Sequence, residues 1–165
     1  MPVYRGTVRP PEVGGVSRVP RWAVLTIAGV VNAVCVLQTI GFLTRPSAPW
    51  VNRVAGVVMV VLAVPATLAL VAFVRERSGW RFVAGPLVYD AFIVVLVVVD
   101  YWLGVEFRSP RRPEILVPYV VLFFLSIVLM GAPLMRVDRR LWLLTAFSAT
   151  ALIAAMIWAQ AMGVG

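Results

Sequence analysis

Residues 85–104 read GPLVYDAFIVVLVVVDYWLG. The run is as long as the ~20 apolar residues a helix needs to cross a hydrocarbon core of ~30 Å. It also carries two carboxylic acids, Asp90 and Asp100. An acid at the centre of a spanning helix costs about 2.5–3.5 kcal/mol on insertion scales. The run therefore crosses a bilayer only if its acids lie near an edge or find hydrogen-bonding partners. Its wealth of Val also admits an apolar β-hairpin, but the length and the lack of strict alternation favour a helix.

Four further runs have the same character, giving five candidate spans at 22–43, 54–74, 83–104, 115–135 and 141–163. Trp22, Trp50, Trp80, Trp102, Trp142 and Trp158 fall near the ends of these runs. Indoles favour that level because one end of the ring is apolar and the other is wet. The first run is longer than the apolar core of a usual signal peptide and lacks a clear small-residue cleavage site, so it is expected to be retained. Residues 1–20, rich in Arg, Pro and Gly without periodicity, read as an irregular arm at the membrane surface. The expected architecture is all-α: a bundle of five transmembrane helices with short loops.

Composition agrees. The chain is 62% hydrophobic and 13% charged, against about 45–50% and about 25% for soluble domains. So few charges cannot clothe a soluble surface of this size. The net charge of +8 does not indicate nucleic acid. All 15 basic residues are Arg, and they sit in the arm and the short loops, as topology signals and headgroup contacts do. Arg without Lys, beside heavy use of Val, Ala, Gly and Pro, fits a GC-rich prokaryotic genome and hence its plasma membrane. Arg5, Arg9, Arg18, Arg21, Arg75, Arg77, Arg81, Arg136, Arg139 and Arg140 fall on one side of a five-span chain, ten against five on the other. The positive-inside rule then places the N-terminus in the cytoplasm and the C-terminus outside.

The residue types this chain lacks narrow its chemistry. Without Lys there is no retinal Schiff base, and without His no imidazole ligand for haem or bacteriochlorophyll. Histidine-based zinc sites and Ser–His or Cys–His pairs are equally excluded. The single Cys35 rules out an intramolecular dithiol. No Gly-rich phosphate loop is present. No catalytic constellation and no cofactor are expected, bound lipid aside.

Depth matching groups the remaining polar residues. Ten residues on a helix turn about 1000°, so Asp90 and Asp100 lie roughly 80° apart and roughly 15 Å apart in depth. Thr67, Ser126 and Ser148 share the level of Asp90, while Gln38, Tyr119 and Gln160 share that of Asp100. Two polar layers follow. One reading is a proton or cation path; the other is interhelical hydrogen bonding, which the absence of an intramembrane basic partner favours. On that reading Asp90 faces the bundle interior, uncharged, bonded to a hydroxyl such as that of Thr67, Ser126 or Ser148. Asp100 stays ionised near the water of the opposite leaflet.

Three other features bear on contacts. Ala151, Ala155, Ala159 and Gly163 recur every fourth residue, a stripe that lets another helix approach closely. Leu152, off the stripe, is expected to tolerate change better than Ala155. Pro65 and Pro133 free the carbonyls of Val61 and Leu129 and predict kinks. In the loop VEFRSPRRPE, prolines stiffen a segment presenting Arg108, Arg111 and Arg112 to lipid headgroups or a partner's acidic patch. The expected role is an accessory or scaffolding subunit of a larger membrane complex, contacting lipid and other subunits. The alternative is a small oligomeric channel or proton-coupled transporter using Asp90 and Asp100.

Overall fold

A computed structural model describes residues 19–48, 50–104 and 112–163. The arm up to residue 18 and the loop at 105–111, with Arg108 and Arg111, lie outside the described residues. Among the described residues five helices are long and apolar enough to cross a membrane. The molecule is a multi-span membrane bundle. The helices are α1 (Arg21–Thr44), α2 (Trp50–Arg75), α3 (Trp80–Leu96), α4 (Pro113–Gly131), the four-residue α5 (Leu134–Val137) and α6 (Arg139–Ala161). A π-helical turn, Val97–Trp102, completes the third span.

Many of these residues are β-branched, which weakens helices in water. In hydrocarbon the balance changes, because every backbone N–H and C=O must be satisfied within the segment and the helix does so. Pro65 is accommodated inside a continuous α2. Pro133 is not absorbed in this way. It cannot donate to Leu129, α4 stops at Gly131, and helix resumes as α5 at Leu134. Asp138 then caps α6, its side chain accepting from the Arg140 backbone N–H at 2.8 Å.

Consecutive spans run antiparallel. The main packing seams are α1 with α2, α2 with α3, α3 with α4, and α6 back against α1. Between α3 and α4 the seam is aromatic. Phe92 meets Tyr119 edge-on at 5.1 Å between ring centroids and Phe123 at 5.3 Å. Elsewhere small residues bring backbones together. Ala66 and Ala69 of α2 and Ala155 and Ala159 of α6 are buried, and lipid tails offer no hydrophobic reason for helices to associate, so such close packing must supply the attraction. The alanine stripe thus faces the bundle. Leu152 is also fully buried. Its expected tolerance is corrected: it is a core residue beside the stripe, not a lipid-facing one.

Candidate functional site

The polar side chains at the depth of Asp90 fall on separate seams rather than in one layer. Thr67 of α2 and Asp90 of α3 meet, the Thr67 hydroxyl donating to Asp90 Oδ2 at 3.0 Å. The same hydroxyl also lies 2.9 Å from the Ala63 carbonyl, one turn back. A hydroxyl has one hydrogen, so two acceptors share it. Asp90 Oδ1 is buried and has no hydrogen-bonding partner. The acid is therefore under-satisfied on both oxygens.

The position of this pair departs from the expected interior placement of Asp90. Thr67 is exposed and Asp90 half-buried. Around them Val64, Leu68, Leu87 and Val94 are all exposed, while the interior side of the same two helices carries Ala66, Ala69, Tyr89, Phe92 and Ile93. The pair lies in the outer groove of the α2–α3 seam, facing the lipid side. Asp90 lies about 100° around α3 from buried Tyr89.

Ser126 and Ser148 do not reach Asp90. Ser126 is fully buried, and its hydroxyl donates to the Phe123 carbonyl of its own helix at 2.7 Å. Ser148 belongs to a network between α1 and α6 that depth matching missed. Its hydroxyl donates to Asn32 Oδ1 at 2.7 Å. Asn32 Nδ2 donates to Thr145 Oγ1 at 3.0 Å and to the Ala28 carbonyl at 2.7 Å. Thr145 in turn bonds the Leu141 carbonyl at 3.0 Å. Here each polar side chain has a partner, and the network ties the first span to the last.

Toward the other face Gln38 of the residues grouped with Asp100 is engaged by α2. Gln38 Nε2 lies 2.9 Å from the sulfur of Met59, and the buried Tyr89 hydroxyl donates to the Met59 carbonyl at 2.8 Å. Met59 is thus the point where α1, α2 and α3 converge. Asp100 falls in the π-helical turn, half-buried and engaged; Gln160 is exposed and likewise engaged. The wider turn rotates Asp100 off the azimuth that 100° per residue gives it. Tyr101 in the same turn reaches the Arg53 carbonyl at 3.4 Å. Of the arginine loop, Arg112 is exposed at the start of α4.

Among the described residues no group of three or more His, Cys, Asp or Glu side chains is placed to hold a metal ion. At the α2–α3 seam the Thr67–Asp90 couple leaves one carboxyl oxygen, Oδ1, buried and without a hydrogen-bonding partner. No family model, characterised protein or solved structure matches the chain.

Proposed function

We propose that this protein is an accessory, non-catalytic subunit of a larger membrane complex. It is held there through the α2–α3 face centred on Thr67 and Asp90. The observation that carries the reading is the unpartnered Oδ1 of Asp90 beside an exposed Thr67. In hydrocarbon an unsatisfied polar group costs several kcal/mol. A partner helix that packs on exposed Thr67 and brings a donor at that depth removes the cost once the Asp90 carboxyl turns toward it. Helix partners in lipid gain about 0.6–2 kcal/mol from one such bond. The polar side chains between α1 and α6, by contrast, already have partners within the chain. The subunit resides in a prokaryotic plasma membrane with its N-terminus cytoplasmic, as the arginine asymmetry favours.

The test is copurification of the tagged chain from native membranes. Larger subunits should accompany the wild type and Asp90→Asn in fixed ratio, because Asn keeps size and hydrogen-bonding capacity. Asp90→Leu should lose them while keeping the fold, since the site lies on the outer seam. Recovery of the chain without other subunits, unaffected by Asp90→Leu, would sink the proposal.

A second reading rests on the same exposure. Half-buried Asp90, beside exposed Thr67, lies at a face that the next copy in a homo-oligomer can cover, where it would exchange protons. Asp90→Asn should then leave the oligomer assembled but abolish proton flux in proteoliposomes.

A further inference from the structure

A groove of about 340 Å³ opens between the start of α3 and the break after α4. That lies within the roughly 300–1,000 Å³ of small-molecule sites. Its apolar floor is Phe82, Leu129 and Pro133, and its rim carries Trp80, Arg81 and Arg136. The break at Pro133 makes the groove. α4 ends at Gly131 and the chain turns before α5, so Arg136 is carried to the rim opposite Arg81. Deeper along the same seam the helices touch: a Cβ on Gly85 would lie 2.8 Å from the Leu129 carbonyl oxygen. The seam is therefore closed toward the bundle and open toward the membrane boundary.

The charge of this groove is one-sided. Arg81 and Arg136 are exposed, and among the described residues neither forms an ion pair. Trp80 is 71% exposed beside them, at the level where an indole sits between headgroups and tails. Two guanidinium forks without an acid, over an apolar floor at the end of two spanning helices, match an ester phosphate joined to an acyl chain. We infer that the groove binds one anionic phospholipid from the adjoining leaflet, its phosphate on Arg81 and Arg136 and its first acyl carbons on Phe82, Leu129 and Pro133. This site shares no lining residue with the Thr67–Asp90 pair and does not depend on the role given to Asp90.

The test uses the full chain in nanodiscs of phosphatidylcholine with or without phosphatidylglycerol, with bound lipid read by native mass spectrometry. Wild type should retain one phosphatidylglycerol selectively. Arg81→Gln with Arg136→Gln should weaken that retention about thirtyfold, the change two arginines carry at about 1 kcal/mol each near an anionic surface. Arg139→Gln with Arg140→Gln removes the same charge from the same face outside the groove and should leave retention intact. Ala132→Trp, which fills the groove but keeps both arginines, should also displace the lipid. Unchanged thermal unfolding in phosphatidylcholine alone shows that each variant folds. Equal weakening by the two arginine pairs, or no preference for phosphatidylglycerol in the wild type, would overturn the inference.

Discussion

Gly85 of α3 lies directly against the Leu129–Met130 peptide of α4: a Cβ placed on Gly85 would stand 2.6 Å from the Met130 nitrogen. What it meets is backbone, which cannot swing aside as a side-chain tip can. Gly85→Ala should therefore push α3 and α4 apart, at the about 1–3 kcal/mol typical of overpacking. Gly29 on α1 has nothing within 4 Å of its Cβ position. Gly29→Ala should be neutral or slightly stabilising, because Ala is the better helix former by about 1 kcal/mol. Thermal unfolding of both variants in one detergent checks the contrast, and similar midpoints would remove the close-approach argument.

The network of Asn32, Thr145 and Ser148 predicts a coupling between the first and last spans. Asn32→Ala removes the acceptor of Ser148 and a donor to Thr145 at once. Both hydroxyls retain a carbonyl of their own helix, Thr145 that of Leu141 and Ser148 that of Thr145 at 3.0 Å. The loss should accordingly be modest, about 1 kcal/mol, in the range measured for hydrogen bonds between membrane helices. A double-mutant cycle with Ser148→Ala should show non-additivity of about 0.5 kcal/mol or more. Additive losses would mean that the bond contributes nothing of its own.

The spans are legible in the sequence because hydrocarbon thickness fixes a length and forbids most charges. Their ends are less so: α2 begins at Trp50 rather than four residues later, taking Asn52 and Arg53 into the helix. Short polar residues at the interface cost a helix little, and the run of apolar residues does not mark them. Counting residues gives depth but not which seam a side chain faces. Thr67, Ser126 and Ser148 share a depth with Asp90, yet Ser148 turns to α1 and Ser126 to its own backbone. Asn32 is legible as an amide midway along an apolar run, and its depth also matches Ser148. The π-helical turn at Val97–Trp102 had no sequence signal that separates it from ordinary helix.

The arginine asymmetry predicts that the end of α6 lies outside the cytoplasm. An alkaline phosphatase fused after Gly165 should be active, and a fluorescent protein that folds only in the cytoplasm should stay dark. Moving three arginines to the loop between α1 and α2, with Arg75→Gln, Arg77→Gln and Arg81→Gln, should weaken or reverse the bias, since orientation follows Lys and Arg near the span ends. A bright cytoplasmic reporter on the native chain would refute the assignment.

On α6 the two substitutions that distinguish stripe from core act in opposite senses. Ala155 is 4% exposed and Leu152 fully buried, and α6 packs chiefly on α1. Ala155→Leu adds volume where the helices are closest and should cost about 1–3 kcal/mol through displacement of α1. Leu152→Ala removes volume. In water such a truncation costs about 2–5 kcal/mol, part of it lost transfer energy. In a bilayer the transfer part vanishes, because lipid is as apolar as leucine, and only the cavity and lost contacts remain. The expected loss is therefore near the low end, about 2 kcal/mol, comparable with Ala155→Leu. Ile157, 60% exposed on the lipid side of the same helix, should accept Ala with almost no change. Unfolding midpoints of the three variants decide it: a tolerant Leu152 or a sensitive Ile157 would mean that α6 is turned differently against α1.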